Sequence, residues 1–289
     1  MRESESQREF DEAQRGSEAG DAERREVPCD EAVFFESFYA ANVQGQVQDW
    51  MTMGSISEPE ARFHYNSLEN SIIRALLRIA PPPADQAVRM WRAMQLRQDL
   101  RLLDVGSGTG HWIDFMRAAF LVQRAVGLEV TARMSAYLRE KYAEEPGVEV
   151  RSLDVASPGA LSELGSFDLI TAVGVLFHIV DDARWEAAVQ NLAQALAPEG
   201  LLLISGELGS ETRNVQFHRQ DRFGSWREFE GASAEDGGEV RVNKRVRSLA
   251  RHVELAGRLG LEVLDVVRSD REPGITTAEN DLIVLRPRP

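Results

Sequence analysis

The nine residues Asp104 to Trp112, DVGSGTGHW, place a carboxylate two positions ahead of three alternate glycines, Gly106, Gly108 and Gly110. Glycines so spaced let a backbone turn tightly and approach a ligand with no side chain in between. Three ligand classes compete for such a turn. A phosphate loop of the GxxxxGK[ST] kind needs a lysine after its glycines, and none follows here. A dinucleotide fingerprint needs GxGxxG, whereas the spacing here is GxGxG, with His111 where the third glycine would fall. Asp104 also sits poorly beside a pyrophosphate, and its carboxylate suits a ligand with a positive end.

The elements that must position this turn are legible on both sides of it. From Leu100 onward short β-rich runs alternate with amphipathic stretches: RLLDVG, AVGLEV, VEVRSLDV, FDLITAVGVL and GLLLISGEL read as strands, HWIDFMRAAFLV and ARWEAAVQNLAQAL as helices. That alternation predicts an α/β fold, a doubly wound and mostly parallel seven-stranded sheet. The last two strands, LEVLDVVRS and NDLIVLRP, are joined by a short Pro-Gly connection that suits a C-terminal hairpin and one antiparallel strand. In such a sheet ligands bind beyond the carboxyl ends of the strands, where DVGSGTG falls.

Further landmarks then follow in order. Glu129 ends the second strand in VGLEV, nineteen residues after Gly110, Asp154 ends the third in SLDVAS, and LAPEGLLLISGE carries a Pro-Glu-Gly turn into the fifth. Together with DVGSGTG these resemble the motifs of the class I S-adenosylmethionine-dependent methyltransferases, over roughly residues 98 to 289. The resemblance implies S-adenosylmethionine (SAM) as cofactor and S-adenosylhomocysteine (SAH) as product. It implies cofactor contacts from Asp104, Gly106, Ser107, Gly108 and Gly110 in the turn. It adds Glu129 and Val130 at the ribose, Asp154 and Val155 at the adenine, and Val173 and Gly174 at the fourth strand's end.

Methyl transfer from a sulfonium needs alignment and desolvation more than side-chain chemistry, and a base only where the nucleophile must lose a proton. The family's acceptor pocket lies between the end of the fourth strand, the loop after the fifth and any N-terminal cap. The expected bases there are His178 in VLFHIV, His218 in NVQFHRQ and His64 in RFHYN. Tyr65, Phe177, Arg219, Arg222, Trp226 and Arg247 are the expected acceptor contacts. Arg247 belongs to RVNKRVRSLAR, a basic stretch in an otherwise acidic chain. No metal site is expected.

Around that domain the sequence predicts an acidic tail over residues 1–28, with nine Asp/Glu, five Arg and few large apolar residues. A helical cap follows over 29–97, then the methyltransferase domain over 98–289 with a substrate-lining insert at about 208–242. The cap is read from VFFESFYAANVQGQVQDWM, ARFHYNSLENSIIRALLRI and PADQAVRMWRAMQL.

Across 289 residues the net charge is −14, which speaks against a bare phosphate backbone as partner. The single cysteine, Cys29, permits neither an internal disulfide nor a CxxC metal cluster. No leader-like or membrane-spanning run is apparent, so a cytoplasmic protein is expected. The expected reaction is methylation of a small-molecule acceptor, with a preference for oxygen because three histidines fall in pocket segments. The alternatives are an RNA or protein methyltransferase docking on the basic stretch, and a SAM-binding protein without methyl transfer. Oligomeric state and acceptor identity are not written in the sequence.

Overall fold

A computed structural model describes residues 26–28, 31–43, 45–52, 57–79, 100–120, 122–205, 215–219, 226–229, 240–268 and 281–289. In chain order its helices are α1 (Glu31–Asn42), α2 (Glu58–Ile79), α3 (His111–Phe120), α4 (Ala132–Lys141), α5 (Asp182–Gln194) and α6 (Leu249–Arg258). Its strands are β1 (Glu26–Pro28), β2 (Arg101–Val105), β3 (Arg124–Leu128), β4 (Val148–Arg151), β5 (Phe167–Val173), β6 (Leu196–Ser205), β7 (Val215–Arg219), β8 (Trp226–Phe229), β9 (Val240–Val246), β10 (Leu261–Val267) and β11 (Leu282–Pro287).

The main sheet has seven strands in the order β10-β11-β6-β5-β2-β3-β4. The chain starts at its centre on β2, moves outward through β3 and β4, then crosses back to β5 and β6. β11 runs antiparallel to both β10 and β6, while the pairs from β6 to β4 are parallel. This is the mixed seven-stranded sheet that the strand–helix alternation predicts. The order reverses at β2, whose Asp104 stands opposite Gly127 of β3 on one side and Thr171 of β5 on the other. The crevice at that reversal is where the glycine turn emerges.

Apolar side chains fill both faces of the sheet. One face packs Phe167, Ile170 and Leu202 against Trp185, Ala188 and Leu192 of α5 and Leu255 of α6. The other packs Leu102, Leu203 and Val284 against Trp112 and Met116 of α3 and Leu68, Ile72 and Leu76 of α2. The C-terminal half of α2 is therefore part of the domain core, and only its N-terminal half reaches the site. The third expected cap helix, around residues 84–97, lies outside the described residues.

Residues 26–28, inside the expected tail, form β1, paired in parallel with β9; residues 1–25 lie outside the described residues. β7, β8 and the start of β9 lie within the expected insert. They make a second sheet of order β1-β9-β7-β8. No helix among the described residues is long and apolar enough to cross a membrane.

Candidate functional site

A cavity of about 440 Å³ opens at the carboxyl ends of β2, β3 and β5. Its floor is the turn Val105–Thr109 with His111 and Trp112, and its sides are Leu128–Val130, Leu153–Val155 and Val173–Val175. The roof comes from the N-terminal segment: Phe35, Phe38 and Tyr39 of α1, Thr52 of the short 3-10 turn Asp49–Thr52, and His64, Tyr65 and Leu68 of α2. Phe177, His178 and Lys244 close the far wall.

The turn holds its shape by backbone geometry and two close approaches, at Gly106 and Gly110. Gly106, Gly108 and Gly110 have φ of +68°, +53° and +83°, a region that L side chains rarely adopt. Gly110 is also tightly packed: a Cβ there would lie 2.2 Å from the Tyr142 hydroxyl, which itself donates to the Gly110 carbonyl at 3.0 Å. At Gly108 the nearest atom to such a Cβ is Thr52 Cγ2 at 3.8 Å, so the space above this residue belongs to the cavity and its roof.

Glu129 is fixed before any ligand arrives. Its Oε2 accepts from the Gly108 backbone N–H at 3.1 Å, and its Oε1 accepts from Thr131 N–H at 2.9 Å and Thr131 Oγ1 at 2.8 Å. Thr131 is the N-cap position of α4, yet its hydroxyl serves Glu129 and not the helix end. Burial raises the Glu129 carboxyl above its ordinary range, and these bonds oppose that shift. Its charge in turn helps burial push the neighbouring Tyr39 phenol well above the usual value. A carboxylate has about four lone-pair directions, so this one still has capacity on the cavity side.

Asp104 lies beneath the turn, fully buried and not on the cavity wall. Thr171 Oγ1 donates to its Oδ1 at 2.7 Å, while Oδ2 has no partner among the described residues. Burial pushes its carboxyl up to about 6. Asp154 lines the cavity with Oδ1 accepting from Ala156 N–H at 2.9 Å and Oδ2 from Arg184 Nη2 at 3.0 Å. Beside it Val130, a large apolar side chain left exposed, and Val155 and Leu153 offer flat apolar surface.

These features fit SAM: a carboxylate with an acceptor direction left for a ribose hydroxyl, apolar surface for a base, and an orphaned buried carboxylate oxygen beneath the turn, where positive charge is favoured.

The structure brings most of the sequence-predicted residues together. Ser107, Gly106, Gly108, Glu129, Val130, Asp154, Val155, Val173 and Gly174 line the cavity, as do His64, Tyr65, Phe177 and His178. Gly110 and Asp104 stand behind the wall. The His178 ring meets the Phe35 ring edge-on at 4.5 Å and tilts against Phe177 at 4.4 Å. Arg247 is elsewhere: 2% exposed, it donates to Asp182 at 2.9 Å and to the carbonyls of Ile179 and Val180, and it lies over the Trp185 ring. It clamps the end of β9 to the segment after His178 and is not a cavity residue. His218 and Arg219 stand on β7 and Trp226 on β8, but their side chains, like Arg222, lie outside the described residues.

Several site residues went unread in the sequence. Phe35, Phe38 and Tyr39 carry a visible signal, the aromatic run FFESFY, which periodicity assigns to a helix without saying what the helix covers. His111 tethers the roof to the turn: its Nδ1 is 3.0 Å from Asp49, its Nε2 is 3.0 Å from Glu69, and Tyr65 packs on its ring at 4.2 Å. Thr109 Oγ1 donates to the same Asp49 at 2.6 Å. These contacts span 42 to 62 positions, so no local pattern could have announced them.

With the geometry in hand, residues 102–200 match the family model described as "Methyltransferase domain". An uncharacterized protein of Synechococcus sp. is 31% identical over 174 residues, 57% of this chain and 40% of its own length. A malonyl-[acyl-carrier protein] O-methyltransferase of Methylococcus capsulatus is 28% identical over 136 residues, 47% of this chain and 42% of its own. The chain thus spans less than half the length of these relatives. Among solved structures, the CcbJ methyltransferase from Streptomyces caelestis superposes with a TM-score of 0.53 at 18% identity, covering 90% of this chain and 99% of that one. That likeness concerns the fold.

Proposed function

We propose that this chain, whose residues 102–200 match the methyltransferase-domain model, is a SAM-dependent enzyme that methylates a small molecule held between the domain and its N-terminal roof. When bound, SAM supplies an electrophilic methyl on a sulfonium that departs as a neutral thioether. Glu129 takes a ribose hydroxyl, Val130 and Val155 flank the base, and the buried Asp104 favours the cofactor's positive end. The rings of Phe35, Phe38 and Phe177 keep water from the reacting atoms and hold the acceptor in line. His178, gripped between Phe35 and Phe177, accepts the proton of an acceptor hydroxyl. Oxygen is accordingly the proposed acceptor atom.

The observation that carries this reading is one shared cavity onto which Glu129, Asp154, the glycine turn and His178 all open. The RNA or protein alternative rested on the basic stretch. Here Arg245 and Arg247 engage Asp182, and Arg251 engages Glu186 and Glu254, so these charges are spent inside the fold. The test is SAH release from SAM across a panel of hydroxylated small molecules with RNA and protein controls. Turnover on a small hydroxylated acceptor supports the proposal, and turnover confined to RNA or protein overturns it.

A further inference from the structure

Arg184 stands where a cation is unfavourable to its own helix. It is the third residue of α5, and its backbone N–H donates to the N-cap Asp181 at 2.8 Å. The positive end of the helix dipole lies there, so the helix alone would be better served by an acid. Two carboxylates from distant parts of the chain face the guanidinium instead. Its Nη2 donates to Asp154 Oδ2 at 3.0 Å, and its Nη1 lies 3.4 Å from Oε2 of Glu31, in the first turn of α1. All three side chains line the cavity. The bridge therefore joins the strand end after β4 to the start of the roof.

The contacts of Asp154 leave it one way to bind. Its Oδ1 accepts from Ala156 N–H at 2.9 Å, while Oδ2 accepts from Arg184 and, at 3.3 Å, from Ser157 Oγ. Each carboxylate oxygen offers about two acceptor directions, so Oδ2 is filled and Oδ1 keeps one. That direction suits a single N–H donor. Val130 and Val155 line the cavity beside it, so the donor it suits is an amino group on the edge of a flat ring. Arg184 decides which oxygen is offered, because without it Oδ2 is open to compete for the same donor and for water.

We propose that Arg184 is a positioning residue that couples recognition of the cofactor's base to closure of the roof. It holds the Asp154 carboxylate with Oδ1 toward the base amino group, and through Glu31 it draws the first turn of α1 to the same place. A base seated against Asp154 and a closed roof stabilise one another, because both favour one placement of the guanidinium, and such coupling is reciprocal. The Arg184 side chain is 46% exposed, so each ion pair contributes modestly. This rests on the methyltransferase reading given above.

The test measures binding of SAH, and of its analogue with unsubstituted purine in place of adenine, to the full chain. The analogue loses only the amino group. Wild type is expected to bind SAH about tenfold or more tightly than the analogue, as befits a hydrogen bond to a charged group. Arg184→Met narrows that preference to about threefold or less, whereas a merely structural role would weaken both ligands alike and leave the preference intact. Glu31→Gln lies at the far end of the bridge, yet it should raise the SAH dissociation rate about threefold and add nothing in the Arg184→Met background. The proposal is overturned if wild type does not discriminate, if Arg184→Met keeps the full preference, or if Glu31→Gln leaves the rate unchanged or acts equally in both backgrounds. Failure of the wild-type chain to bind SAH overturns the methyltransferase reading instead, so the two failures are distinguishable.

Discussion

On one side of the cavity, most walls come from the carboxyl end of a parallel strand: the glycine turn after β2, Glu129 after β3, Asp154 after β4 and Gly174 after β5. On the other side the walls come from α1, the turn at Asp49–Thr52, the start of α2, the turn at Phe177–His178 and β9, segments spread from residue 31 to residue 246. The first side is built of backbone and short acidic side chains already locked by internal hydrogen bonds. The second is built of large aromatic rings that meet by packing. A sheet end can be rigid and fixed in chemistry, as one shared cofactor requires, while a roof recruited from distant segments is free to fit one particular acceptor.

Substitutions that damage only one side are the way to break this division. The largest effect is expected at Gly110, where Val would drive a side chain into the Tyr142 hydroxyl from a backbone at φ +83°. Gly110→Val should lose about 3–4 kcal/mol of stability in denaturant titration, and SAH binding with it. Stability within 1 kcal/mol of wild type, taken as roughly the scatter of such measurements, would show that the turn tolerates what its geometry forbids.

Asp104 gives the next effect, with a definite sign. Burial lifts its carboxyl from an ordinary 3.8 to about 6, so the folded chain binds this proton more tightly than the unfolded one. Its contribution to stability is full below the unfolded value and is lost as pH rises through about 6. Asp104→Asn has no such titration, so its stability relative to wild type should climb by up to about 3 kcal/mol between pH 4 and 6.5. A difference that is flat with pH would place the titration elsewhere.

On the acceptor side, His178→Ala should lower turnover at saturating acceptor by about 100-fold if it removes the proton, with SAH affinity unchanged. Equal losses in both would mean that the two sides are not separable at this residue. The smallest effect belongs to the seam between them. His111→Gln loses at least one of the contacts to Asp49 and Glu69, and should raise the SAH dissociation rate by roughly fivefold, equivalent to about 1 kcal/mol. An unchanged rate in stopped-flow would show that the tether does not restrain the roof.

The same division governs what the sequence made legible. The strand ends were readable because strands, turns and their spacing are local. The fold class, the antiparallel last strand and the positions of Glu129 and Asp154 follow from patterns a few residues long, and Asp104 to Gly110 from one motif. The roof was not readable, because helical periodicity places Phe35, Phe38 and Tyr39 on a helix without saying what lies beneath it. Arg247 shows the same blindness in reverse. Its charge suggested an anion, yet its neighbours in space, Asp182 and two backbone carbonyls, are some 65 positions away and consume it. Lys244, three residues earlier in the same basic stretch, lines the cavity instead, a difference that charge pattern alone does not show.

The central claim is that the strand ends form a preset SAM site with Glu129 as its anchor. Calorimetric titration of SAH into wild type and Glu129→Ala tests it most directly. The account predicts saturable one-site binding to the wild type and a loss of about 10- to 150-fold in the variant, roughly 1.5–3 kcal/mol for charge-assisted hydrogen bonds. Equal affinity in the two proteins, with the variant folded, would contradict it.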